Sequence, residues 1–199
     1  MTRKAPPSNV SQASRTGLRD VVGRRFNAPL RVYGAQFGRF AGGYKLAADR
    51  LVESFRGSSG HVVVFPICHL YHHCLELQIK SLVDLAHAIL GEEMTLKRSH
   101  KIGDLWQQEC RPLLERVLSP SSRANFDQVR ECVSRFALFD PDGEFFRYPV
   151  DKERSPWEQP VESLDIYNMQ REASMTLQLL DAFYSEMDSI LECDGLAAP

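Results

Sequence analysis

No run of about eighteen apolar residues occurs in this chain, so no membrane-spanning helix is expected. There is no C-x-x-C. The five cysteines (Cys68, Cys74, Cys110, Cys132 and Cys193) are odd in number and scattered. They read as reduced, partly buried thiols, which excludes a disulfide framework and a structural zinc site. No Walker loop, dinucleotide glycine fingerprint or nucleophile elbow is found, which removes the commonest nucleotide-binding and hydrolase signatures. No secretory apolar segment follows the start, and Pro6, Pro7 and Gly17 interrupt any long amphipathic presequence helix. A cytoplasmic protein without a cofactor is expected. Net charge is only −2, so no strong global field of either sign exists. There is no internal repeat.

What remains is a 199-residue chain, 43% apolar, which suits one domain with a proper core and short appendages. Its charge is unevenly spread. Residues 1–33 carry seven basic side chains (Arg3, Lys4, Arg15, Arg19, Arg24, Arg25 and Arg31) against one acid, Asp20. Residues 1–35 therefore read as a basic, flexible or extended arm, rich in Pro, Ser and Gly. Such an arm suits nucleic acid or an acidic protein surface, with Arg24 and Arg25 as phosphate contacts; the alternative is a solvated tail. The folded body is expected over 36–193, followed by a frayed tail, 194–199.

Apolar periodicity predicts an all-α bundle of four to five helices. The first runs from Tyr44 to Phe55, with Leu46, Leu51, Val52 and Phe55 on its inner side, and GSSG stops it at Gly57. The second runs from Phe65 to Leu90, with Pro66 in its first turn and Gly91 closing it. A third covers Ile102 to Leu118, where Pro112 should kink or divide it. After the turn at Ser119–Ser122 a fourth covers Asn125 to Phe136 or beyond. DPDG (Asp140–Gly143) signals a turn, and the aromatic-rich EFFRYPV after it suggests an extended segment or short hairpin, an irregular insert before the last helix. That helix spans Leu164 to Leu191. Trp106 belongs to the core, and Trp157 anchors the insert.

The second helix carries an unusual polar stripe. His69, His73, Glu76, Lys80, Asp84 and His87 step by three and four, so they share one face. The apolar arc around the rest is wide enough to make the helix central, and a central helix cannot keep the whole stripe in bulk water. Three uses are open: an outer solvated face, with Glu76 and Lys80 paired at i, i+4; a metal site on His69 and His73, completed by Glu76 or His100; or an acid–base and phosphate-handling site. The metal reading is the weakest, because no second ligand pair is visible.

Three separated motifs carry a family resemblance. FPICHLYHHCLELQIKSLV, SHKIGDLW and FDPDGEFFRYPVD occur in that order, and together they resemble bacterial proteins of the HEPN-like superfamily. The matching positions are Tyr71, His73, Leu75, Glu76, Leu77 and Lys80; then His100, Leu105 and Trp106; then Phe146, Arg147, Tyr148 and Pro149. The resemblance covers about residues 44–190. It implies a helical bundle, a homodimer, and a setting in toxin–antitoxin or antiviral defence. Catalytic members are metal-independent ribonucleases with an R-x4-6-H motif on a late helix. Here Arg171 stands on the last helix with no histidine after it, Arg56 to His61 is the one R-x4-H spacing, and His72 replaces the usual arginine before His73.

The resemblance and the stripe point to the same candidates. His73, His100 and Glu76 are the expected acid–base groups. Lys80, Arg147 and His72 are expected to hold phosphate, with Arg147 returned by the FRYP segment to the face of Glu76. The function that follows is binding, and further cleavage, of RNA. The alternative is a non-catalytic interaction subunit that dimerises and docks a larger partner, such as a protein of the same defence operon, through its arm.

Overall fold

The computed structural model describes residues 37–55, 62–93, 99–157 and 163–193. The basic arm with Arg24 and Arg25, the Arg56–His61 spacing and the tail at 194–199 lie outside the described residues. Five helices make the bundle among them: α1 (Phe37–Ser54), α2 (Val64–Leu90), a composite rod α3, α4 (Phe126–Phe139) and α5 (Ile166–Cys193). A single helical turn, Pro120–Arg123, precedes α4, capped by the Ser119 hydroxyl. The fold is all-α, as the periodicity predicts, and no described helix is long and apolar enough to cross a membrane.

The central element is α2, which packs on α1, α3 and α5. Sixteen of its 27 residues are buried, including every position from Cys74 to Val83. A helix surrounded in this way must bury its polar residues with partners or not at all. It ends at Gly91, in the left-handed region with φ 65°, where the Gly91 amide reaches Ala88 O and the Glu92 amide reaches His87 O. Only a residue without a Cβ adopts that turn without strain.

Three elements differ from the periodicity reading. First, α1 begins at Phe37, a turn and a half or more before Tyr44. Gly38, Gly42 and Gly43 argue against a helix by propensity. Packing overrides them: Gly38 lies close to Ser81 and Gln78 of α2, and buried Ala41 accepts the Cys74 thiol proton on its carbonyl at 3.1 Å. The inner face of α1 is accordingly Ala41, Ala48 and Val52, while Leu46 is 59% exposed.

Second, α3 is not broken at Pro112. It runs Ile102–Asp104, widens to a π-helical stretch at Leu105–Cys110, and continues as α-helix over Arg111–Val117. The Arg111 amide bonds back five residues to Trp106 O. Proline lacks an amide proton and its ring crowds the carbonyl four residues before it; the wider turn makes room and the rod continues.

Third, the EFFRYPV segment is not extended. The amides of Arg147 and Tyr148 both return to Glu144 O at 3.0 Å. The cause is Asp140, 1% exposed, whose carboxylate accepts the amides of Glu144 at 2.7 Å, Phe145 at 2.9 Å and, more weakly, Phe146 at 3.5 Å. This local capping outweighs the strand preference of the aromatics. The single β pairing among the described residues is an isolated bridge between Val150 and Pro156.

Candidate functional site

Glu76 sits in the middle of α2 and is 3% exposed. Both carboxylate oxygens are occupied. Oε1 accepts from Lys80 Nζ at 2.6 Å, one turn along the same helix, and from His100 Nδ1 at 3.0 Å. Oε2 faces His73 Nδ1 at a longer 3.4 Å. Burial alone pushes the carboxyl up. Hydrogen bonds from His73 and Lys80 and the charges of Lys80 and His100 outweigh it, and hold Glu76 down at about 2. It is therefore an anion at any physiological pH.

That charge fixes the state of its neighbours. An ionised carboxylate only accepts hydrogen bonds, so Nδ1 of His73 and of His100 must each carry the proton. In the neutral imidazole the lone pair then lies on Nε2, on the far edge of each ring. Two imidazoles share one orienting carboxylate, and both keep a reactive nitrogen turned away from it. They differ in setting: the His73 side chain is 25% exposed and that of His100 is 56% exposed. His73 is further held by the edge of Tyr44, with ring centroids 4.5 Å apart.

His100 reaches Glu76 from the chain entering α3. The DPDG turn holds it there. Gly143, at φ 73°, packs against both His100 and His72, and Lys101 pairs with Asp142 at 2.7 Å.

The FRYP guanidinium does not join Glu76, which corrects the convergence expected from the sequence. Arg147 donates Nη1 to Gly143 O at 3.4 Å and Nη2 to the Tyr148 hydroxyl at 2.8 Å, and it lies over the Tyr148 ring at 4.9 Å. The tight 144–148 turns send the side chain along the surface, not back into the bundle. It still belongs to the same face. The His69 imidazole is pushed below its ordinary range first by burial, then by the charges of His73 and Arg147, which places the guanidinium near it. His69 stacks on His73, centroids 5.8 Å apart and planes within 14°. The groups form a row: Tyr148, Arg147, His69, His73, Glu76, and then Lys80 and His100.

His72 lies beside this row but not in it. It is 2% exposed, bonded to the backbone of Asp140, and its Nε2 is buried with no hydrogen-bond partner. Burial pushes its pKa down, and the charges of Asp140 and Glu76 offset that only in part. Lys80, 7% exposed, is spent on Glu76. Of the stripe's far end, His87 turns to Glu92 at 3.5 Å and Asp84 is half-buried. Arg171 is away from the row and pairs with Asn168. Among the described residues no group of three or more His, Cys, Asp or Glu is arranged to hold a metal ion.

A second polar knot went unread in the sequence. Asp49 of α1 accepts from Tyr71 Oη at 2.6 Å, Lys45 Nζ at 2.7 Å and Gln170 Nε2 at 3.2 Å, tying α1, α2 and α5 together. The Lys45–Asp49 spacing of four is visible beforehand; the long-range partners are not. Asp140 and Gly143 were likewise legible only as turn residues, although they set the place of His100 and the course of the insert. Elsewhere, clefts of about 180 Å³ and about 480 Å³ open between α4 and α5, one floored by Phe136, Phe139, Phe146 and Met169, the other edged by Arg135 and Arg171.

Fold and site together define an all-α bundle whose central helix presents two imidazoles on a buried, charge-compensated carboxylate. No family model, curated protein or solved structure matches the chain.

Proposed function

We propose that this protein binds RNA along the Tyr148–His100 row and cleaves it without a metal, as a HEPN-like member of a bacterial defence or toxin–antitoxin system. The observation that carries the reading is the sharing of Glu76 by His73 and His100. Phosphodiester transesterification needs one base and one acid within reach of one phosphate. The neutral imidazole takes the proton of the 2′-hydroxyl as its oxygen attacks phosphorus. The P–O5′ bond breaks, and the protonated imidazole gives its proton to the departing oxygen. The products are a 2′,3′-cyclic phosphate and a 5′-hydroxyl. Glu76 orients both rings and stabilises the charged one, Lys80 is its counter-ion, and Arg147 anchors the phosphate from the exposed end of the row.

The test is labelled RNA incubated with the full chain, with and without EDTA. Cleavage should survive the chelator and fall by about 10²-fold or more in His73→Ala or His100→Ala. Absence of both cleavage and binding at low salt would remove the reading.

A second reading is an interaction subunit without activity. It is supported by the exposed apolar residues Phe40 and Leu46 on α1, which are 53% and 59% exposed. On that reading the Glu76 network is a lock between α2 and the start of α3. The chain then forms a homodimer or docks a partner protein, and the RNA assay is blank.

A further inference from the structure

Beside the histidine row stands a part of the surface that acid–base chemistry does not use. Tyr148 is 49% exposed although it sits in an ordered turn. Its backbone carbonyl accepts the Trp157 indole proton at 3.0 Å, and Trp157 in turn packs on Phe145 with centroids 5.9 Å apart. Its ring carries the Arg147 guanidinium at 4.9 Å, and its hydroxyl accepts from the same group at 2.8 Å. Phe65, at the start of α2, is 42% exposed and packs its edge on Phe145. A large aromatic ring held outward by hydrogen bonds at both its backbone and its hydroxyl costs little entropy to use, because its position is already fixed.

Such a ring next to a guanidinium has a specific partner chemistry. An aromatic face stacks on a nucleobase whatever its sequence, and an adjacent cation takes the phosphate of the same nucleotide. A base paired within a duplex keeps both faces covered by its neighbours and cannot reach the ring. Arg147 is also the group whose charge reaches His69, so the stacking position adjoins the row itself.

We infer that Tyr148 and Arg147 form a nucleotide clamp, in which the Tyr148 ring stacks on an unpaired base while Arg147 holds its phosphate, making the site selective for single-stranded over duplex nucleic acid. The inference rests on the reading of the row as an RNA site, and deepens it by naming the strand state and the residues that choose it. Tyr148 is a specificity-determining residue and not a catalytic one.

The experiment is fluorescence anisotropy of a labelled single-stranded RNA decamer with the full chain at low salt. It is repeated with the same strand annealed to its complement and with strands carrying abasic sites. Tyr148→Ala should weaken single-strand binding by about 5- to 150-fold, and abasic strands should lose affinity with the native chain to a similar degree. Tyr148→Phe should keep most of the affinity, and duplex binding should be weak and unchanged by either variant. The abasic arm needs no protein substitution, so it holds even where Tyr148→Ala disturbs the turn; Trp157 emission reports that disturbance. Equal binding of single and double strands, unmoved by the abasic sites, would overturn the clamp and leave phosphate binding by the row intact. Binding of neither would overturn the clamp and the RNA reading together.

Discussion

Gly143 lies directly against His100. A Cβ on that glycine would come within 3.1 Å of His100 Cβ and 3.4 Å of His100 O, and its φ of 73° is one that L side chains rarely adopt. Two independent constraints, space and backbone, therefore demand glycine at the tip of the DPDG turn. Since Gly143 backs the residue that reaches Glu76, the turn and the imidazole pair are mechanically one unit.

Gly143→Ala should destabilise the fold by about 1–3 kcal/mol and displace His100 from Glu76. Thermal unfolding reads the first effect. Imidazole nitrogen shifts read the second: His100 should change from a ring fixed in the Nδ1–H form to a tautomer mixture. An unchanged His100 spectrum in a folded variant would break the link between turn and site.

Glu76 gives a pH signature of definite sign. Its folded pKa, about 2, lies below the ordinary 4.5. A carboxyl depressed on folding contributes stability that is full above about 4.5 and is lost as pH falls toward 2, because the unfolded state takes up the proton first. The contribution is on the order of 3 kcal/mol. Urea unfolding followed through this window should show the loss, and Glu76→Gln should flatten it. Glu76→Gln also leaves Lys80 buried without its counter-ion, so it should cost a few kcal/mol at neutral pH. A variant as stable as the native chain at pH 7 would mean that the network is not closed in solution.

Asp140→Ala should cost about 2–4 kcal/mol, since it strips a buried acceptor from three amides. It should also release the 144–148 turn, which a red shift of Trp157 emission would report. Retention of the native emission would show that the aromatic packing holds the turn alone.

The thiols offer a simple count. Cys68, Cys74, Cys110 and Cys132 are buried, and Cys193 is exposed. Burial pushes the Cys68 and Cys74 thiols up to about 12. A thiol-reactive chromophore should therefore titrate one cysteine rapidly in the native protein and the other four only on unfolding. Two fast thiols would show that one end of the bundle opens readily.

Removal of residues 1–33 should flatten the salt dependence of nucleic-acid binding if Arg24, Arg25 and their neighbours meet phosphate. The same slope with and without them would confine binding to the bundle.

How far the sequence reveals all this depends on the range of each interaction. The bounds of α2 were readable within a residue, because apolar spacing, Pro66 and Gly91 are local signals that agree. Glu76 with Lys80 was readable for the same reason, and His100 because the motif order put it near that face. The early start of α1 was not, because Gly38 is accepted by contacts with Ser81 and Gln78 some forty residues away. Nor was the course of Arg147: nothing in FRYP announces that a buried Asp140 will curl the segment and turn the guanidinium toward Tyr148 and His69. The π-helical turn was invisible for a further reason: it depends on how one proline is reconciled with a core already packed around Leu105, Trp106 and Leu114.

That wide turn carries one more consequence. Its looser winding accommodates a surplus residue within a helical rod. Deleting a single residue between Gln107 and Glu109 would tighten the rod to ordinary winding and rotate everything beyond it by about 100°. Leu114 would leave the interior, and Leu113 or Arg111 would point in its place. Shortening the chain here should therefore be far more damaging than replacing any one of these exposed glutamine or glutamate side chains, and a scan of deletions along α3 would find the rod's phase recorded in that one loop of helix.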